Sequence, residues 1–300
     1  MHENSKMEDE IAMTCIIVVA VFGLISNGLS LYLTRTRYRF RNAFGILCSS
    51  FLICNLQAIF VLLTWCTIVL SIKSHILSSR TYFFVRFIGV LVNGAWFGSI
   101  LAHFFTALNR FCAFVYVTKY DQFWSESKAL SIAVSSWAFG ILLSTQHLYK
   151  ECSFVFNENS NYRFSYQNLF YGKICAYIDT VVTVGIVMGM ACIDFFTLIK
   201  IIAYRRAIRK NAAMSTGSTI YKREVMFFKQ SCILGLLYIS CTVIFNSAPY
   251  LFNNKWLLFI SSTITWILTQ SLDGLIFLVF NRTIICKTDF NTVTITPITN

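Results

Sequence analysis

Proline is nearly missing from this chain, with 2 in 300 residues. Charge is scarce as well: Asp, Glu, Lys and Arg make up 13%, where a soluble domain carries about 25%. No Pro-, Gly- or Ser-rich linker and no internal repeat can be found. Low charge excludes an ordinary soluble monomer. The missing linker leaves a single compact bundle, and the missing repeat weighs against many repeat-built transporter folds. Histidine is rare too, with 4 in the chain.

Apolar residues fill the space instead. They make up 56% of the chain, including 29 Phe, and the mean hydropathy is +0.64. They gather in seven runs: 11–33, 43–70, 82–108, 129–149, 174–199, 230–252 and 256–280. A run of roughly 20 residues at about 1.5 Å per residue crosses a hydrocarbon core about 30 Å thick. The fold class is therefore an all-α membrane protein, a seven-transmembrane helix bundle. Residues 1–10 read as an extracellular amino terminus, 11–280 as the transmembrane domain and 281–300 as a cytoplasmic tail. The first run does not read as a cleavable signal peptide: it is too long, and Glu8, Asp9 and Glu10 precede it where a basic region belongs.

A net charge of +12 would suit a nucleic-acid binder. Here the basic residues sit between apolar runs, which suits anionic lipid headgroups, and no nucleic acid is expected. Seventeen Lys and Arg fall on the face that holds links 34–42, 110–128 and 200–229 and the tail, against eight on the other. The richer face should be cytoplasmic. The amino terminus is then outside, and localisation is multi-pass in the plasma membrane. Arg35, Arg37, Arg39 and Arg41 lie in a short link at spacing two, so they read as lipid anchors and not as a voltage sensor.

Of 11 cysteines, most lie in or beside spans as small apolar packing residues. Cys286 follows the last span on the inner face and is a candidate for lipidation. Cys152 and Cys175 bracket the longest outer loop. An oxidising outer face allows a disulfide between them. Two unpaired thiols are the alternative.

Polar groups inside spans carry a structural or functional role. Asn27, Asn55 and Asp273 lie at similar depth in the inner half of spans one, two and seven. They suit a hydrogen-bonded clasp that fixes helix register, a switch, or both. Arg110 closes span three. It reads either as a snorkelling side chain or as a latch that changes partners between two bundle states. Towards the outer face lie Arg86, Asn93, Trp96, His147, Asp179, Asn246 and Tyr250, the candidate ligand contacts. An interfacial aromatic belt is the stronger reading for Tyr250.

Catalysis fails on inventory. A membrane zinc hydrolase needs about three ligands converging at one depth. Only His103 and His147 lie in spans, at opposite ends of their helices. Asp179 and Asp194 share one helix about 22 Å apart by rise, too far for a proteolytic pair. No metal and no cofactor is implied. A ligand-gated channel or transporter is the alternative to a receptor. It would need a polar lining throughout, and spans one, two, four and six are too apolar for one.

Several strings carry a resemblance. They are Gly23-Leu24-Ile25-Ser26-Asn27 and Arg41-Asn42-Ala43-Phe44-Gly45-Ile46-Leu47-Cys48, then Leu108-Asn109-Arg110-Phe111-Cys112-Ala113. Glu224-Val225-Met226-Phe227-Phe228-Lys229-Gln230-Ser231, Asp273-Gly274-Leu275-Ile276 and Phe280-Asn281 complete the series. In this order they resemble nematode serpentine receptor class X chemoreceptors, distant kin of rhodopsin-like G-protein-coupled receptors. The resemblance implies a rhodopsin-like bundle with an odorant- or pheromone-like small-molecule ligand. It also implies a heterotrimeric G-protein partner and a location in the cilium of sensory neurons. The implied G-protein contacts are Arg110, Arg205, Arg206, Arg209, Lys222 and Lys229. Asn109 stands where such receptors carry an acid before the arginine, so the local carboxylate lock is missing. Asn55 and Asp273 exchange the usual acid and amide of spans two and seven. Gly274 replaces a proline, so bending of span seven would rely on glycine. Val85 stands where a cysteine is usual, which excludes a disulfide from span three to the loop and favours the pair Cys152–Cys175.

Overall fold

The computed structural model describes residues 2–157, 162–210 and 216–286, without side-chain placement for 2–5, for Arg39, for part of the 204–227 segment and for 282–286. Among the described residues, seven helices are long and apolar enough to cross a membrane. They are α1 (His2–Thr36), α2 (Ala43–Ile72), α3 (Phe83–Val115), α4 (Glu126–Ser144), α5 (Phe170–Lys210), α6 (Thr216–Leu251) and α7. α4 runs on as a 3₁₀ turn, Thr145–Leu148. α7 is built from Lys255–Phe259, a π-helical turn at Ile260–Ile264, and Thr265–Cys286. The chain is a multi-pass membrane protein.

Local chemistry sets several helix starts. The Asn42 side chain accepts from Gly45 N at 3.0 Å to begin α2, and Asn254 accepts from Trp256 N at 2.8 Å to begin α7. Each satisfies a backbone donor that the helix leaves open. Apolar side chains such as Phe22, Ile25, Phe60 and Leu142 remain exposed on the perimeter, where a bilayer would cover them. The interior is closed by large rings, including Phe51, Phe97, Phe154 and Phe277.

Close helix contact depends on two glycine positions. A Cβ on Gly140 would lie 2.6 Å from Gly94 O and from Gly98 N, so α3 and α4 meet backbone to backbone. A Cβ on Gly274 would lie 2.8 Å from the Asn27 backbone N. Gly274 therefore admits α1 against α7 and sits in regular helix. The irregular part of α7 is the π turn at Ile260–Ile264, not the glycine.

Most helices extend beyond their predicted runs, and α6 already begins at Thr216, well before residue 230. α1 already forms at His2, so residues 2–10 make up its first turns. Charge contacts hold them: Asp9 pairs with Lys73, Glu8 Oε2 lies 3.0 Å from Lys255 Nζ, and Tyr162 donates to Asp9 Oδ1 at 2.5 Å. α3 continues past Arg110 to Val115, and α5 runs to Lys210.

Between α4 and α5 the chain forms an antiparallel hairpin, β1 (Val155–Asn157) with β2 (Arg163–Ser165). Cys152 and Cys175 are joined by a disulfide with Cα atoms 5.7 Å apart, which pins the hairpin to the start of α5. Phe154, Phe156 and Phe164 are buried, so the hairpin forms part of the core.

Candidate functional site

A cavity lies directly beneath the hairpin. It is lined by α3, α5, α6, α7 and the hairpin, and it opens outward, so that the space among these residues, continuous with solvent, comes to about 450 Å³. Five aromatic residues (Trp96, Phe154, Tyr166, Phe245 and Trp266) form much of its wall, with Asn93, Asp179, Thr183 and Asn246 as polar members. Trp96 and Trp266 meet edge to face at 5.9 Å, and Phe154 lies 5.6 Å from Trp266.

One carboxylate organises the polar side. Asp179 Oδ2 accepts from Asn93 Nδ2 at 2.9 Å and from the Tyr166 hydroxyl at 2.5 Å. Gln146 Nε2 donates to its Oδ1 at 2.5 Å. His147, fully buried, lies behind this layer with Nε2 2.8 Å from Asn93 Nδ2 and Nδ1 3.0 Å from Cys152 O. Burial and the neighbouring Asp179 charge push the Tyr166 phenol well above its usual range, so it remains a donor.

Of the ligand contacts expected from sequence, Asn93, Trp96, Asp179 and Asn246 line the cavity. His147 supports it from behind. Arg86 and Tyr250 do not line it. Tyr250 is 85% exposed on the perimeter, and Arg86 forms no ion pair with Asp179 among the described residues. Sequence reasoning missed Phe154 and Tyr166, which the hairpin delivers, and Trp266, Phe245 and Thr183. A one-residue step turns a helix by about 100°, so depth alone does not tell which side chain turns inward.

A second network occupies the middle of the bundle, towards the Arg110 end. Asp273 Oδ2 accepts from Asn55 Nδ2 at 2.7 Å and from the Tyr238 hydroxyl at 3.1 Å, and it lies 2.7 Å from His103 Nε2. Asn55 Nδ2 also reaches Asn27 Oδ1 at 3.2 Å. Ser99 donates to Asn55 Oδ1 at 2.8 Å and lies 3.0 Å from the Tyr238 hydroxyl. Asn27, Asn55 and Asp273 thus meet, joined by three residues that sequence reasoning did not assign to the cluster. Nearby, side chains of α1 bond the α7 backbone: Ser26 to Ser271 O at 2.8 Å, Asn27 to Gln270 O at 3.0 Å and Ser30 to Gly274 O at 2.8 Å.

Arg110 lies one helical stretch further on. Its Nη2 donates to Ser231 Oγ of α6 at 3.2 Å, and its Nε to Thr106 O at 3.3 Å. Ser231 in turn bonds the buried Asp194 of α5, whose carboxylate also feels the Arg110 charge. The carboxylate missing beside Arg110 in sequence is therefore supplied by another helix. Asn109 donates instead to the Tyr120 hydroxyl at 2.9 Å, bracing the link after α3. Arg206 and Lys229 are exposed beyond this cluster. The side chains of Arg205, Arg209, Lys222 and Cys286 lie outside the described residues. No group of three or more potential metal ligands occurs among the described residues.

The comparisons with known proteins agree with this architecture. Residues 17–281 match the family model described as "Serpentine type 7TM GPCR chemoreceptor Srx". The chain is also 22% identical over 194 residues to "Serpentine receptor class X-43" of Caenorhabditis elegans, covering 61% of this chain. That match spans 57% of the relative's length. The family is one of receptors and not of enzymes. With seven spanning helices and a family match running from α1 to α7, the chain belongs to the serpentine Srx chemoreceptor family.

Proposed function

We propose that the protein is a G-protein-coupled chemosensory receptor. A small odorant- or pheromone-like molecule binds in the cavity beneath the hairpin, and a heterotrimeric G protein docks at the Arg110 end. The hairpin face is extracellular, the basic face is cytoplasmic, and the receptor works at the plasma membrane of a sensory cilium. Residues 11–280 form the receptor domain in this reading. Arg110, Arg206 and Lys229 are candidate G-protein contacts, with Arg205, Arg209 and Lys222.

One observation carries the reading: the cavity and the buried Asp273 network share a wall. Trp96 lines the cavity and packs edge to face on Tyr238 at 5.1 Å. Tyr238 donates to Asp273 at 3.1 Å. A ligand that shifts Trp96 therefore presses on a side chain already bonded to the network of α2, α3 and α7. It changes the balance between bundle states only by its differential affinity for them. Release of Arg110 from Ser231 and Asp194 then frees α6 from α3 and α5. The freed groove suits a helix-in-groove partner.

The test is agonist-driven nucleotide exchange on Gα by the reconstituted receptor. Arg110→Ala should abolish most of the agonist response while leaving ligand binding in place. Exchange at the wild-type level in that variant would sink the latch. Ligand-evoked current in cells without G-protein signalling would favour a channel instead.

A further inference from the structure

We propose that the cavity selects a small organic cation, such as an amine or a quaternary ammonium compound, through the uncompensated charge of Asp179. The inference rests on the reading of this cavity as the ligand site.

The argument starts from the Asn93 amide. Its nitrogen lies 2.9 Å from Asp179 Oδ2. An amide oxygen there would face a carboxylate oxygen, so the NH₂ group must point that way. The same nitrogen lies 2.8 Å from His147 Nε2. Nε2 must therefore accept, and it carries no proton. The Nδ1 atom faces the Cys152 carbonyl at 3.0 Å, which can only accept, so the single ring proton sits on Nδ1. With Nε2 accepting from Asn93, His147 offers no proton to Asp179 Oδ2, 3.2 Å away.

Every donor to Asp179 is then uncharged: Asn93, Gln146 and Tyr166. Hydrogen bonds from neutral donors satisfy lone pairs but leave the full negative charge in place. In a buried site that charge acts with little screening on whatever fills the cavity. No basic residue lines the cavity among those described. Arg80 is drawn to the Ser165 carbonyl at 3.3 Å, away from the wall. The remaining wall is rich in ring faces, with Trp96, Phe154 and Trp266 beside the carboxylate, and such faces attract cations. A buried carboxylate without a counterion, set in an aromatic box, fits a ligand that brings the missing positive charge.

The experiment uses the purified full-length receptor and reads ligand-induced thermal stabilisation. The probes are benzyltrimethylammonium, choline, the neutral carbon isostere 3,3-dimethylbutan-1-ol, and phenylacetate. Benzyltrimethylammonium should stabilise, and choline should act at concentrations at least about tenfold lower than its carbon isostere. Asp179→Asn should remove that preference, and Thr183→Trp, which fills the cavity, should remove stabilisation by every probe. The wild-type comparison of isosteres stands even where a variant fails to fold. If the neutral alcohol or phenylacetate matches the cations and Thr183→Trp blocks it, the charge inference falls and the cavity reading stands. If Thr183→Trp leaves stabilisation intact, or no probe stabilises, both fall.

Discussion

Two buried carboxylates, Asp179 and Asp273, are served in opposite ways. Asp179 borders open space, and its donors come from α3, the end of α4 and the hairpin around a cavity. Asp273 is sealed, with no exposed surface, and its donors come from α2, α3 and α6 within the packed bundle. Its second oxygen, Oδ1, has no hydrogen-bond partner among the described residues. The first arrangement can accept something from outside. The second can only exchange partners within the bundle, so a disturbance there has to be answered by helices. In the proposed mechanism, recognition and response therefore fall to different carboxylates, with α3 serving both.

Four substitutions break or sharpen that contrast. Asp273→Ala should have the largest effect. It strands the donors of Asn55, His103 and Tyr238 inside the sealed bundle. The expected loss is about 3 kcal/mol or more, read by thermal unfolding in detergent. Asp179→Ala should cost about 1 kcal/mol in the same assay, because water in the cavity can take over its donors. Equal losses for the two would erase the distinction. Asp194→Asn should weaken the tie between α5, Ser231 and Arg110 and raise ligand-independent nucleotide exchange about fivefold. An unchanged basal rate would mean that Asp194 does not restrain Arg110. Trp96→Phe should act least. It keeps a ring against Tyr238 but loses the 3.3 Å bond from Nε1 to Thr183, a change of about 0.5 kcal/mol in ligand affinity.

The seven spans were legible because a spanning helix needs a long apolar run, and nothing else in 300 residues competes with that signal. The meeting of Asn27, Asn55 and Asp273 was legible from depth and polarity together, since polar groups in lipid turn inward. Their partners were not. Ser99 and Tyr238 are unremarkable in a helix, and His103 drew notice only as a failed metal ligand. The cavity wall was least legible. Phe154 and Tyr166 reach it through a hairpin whose position depends on strand pairing and a disulfide, neither of which leaves a periodic trace in the sequence. Tyr250 was misplaced for a geometric reason: it has the right depth and the wrong side of α6. The carboxylate near Arg110 was sought next to it in sequence, whereas α5 supplies it as Asp194 from a distant part of the chain.

The wide turn at Ile260–Ile264 has a consequence for everything that follows it in α7. A π turn accommodates an extra residue, which offsets the angular phase of the later helix by about 100° from an uninterrupted α-helix. Asp273 comes after that offset. Its aim at His103 and Asn55 is therefore set upstream, beside the hairpin, where Thr263 within the wide turn donates to the Tyr162 carbonyl at 2.8 Å. The bearing of the deepest acid in the protein is fixed by a dislocation near its rim.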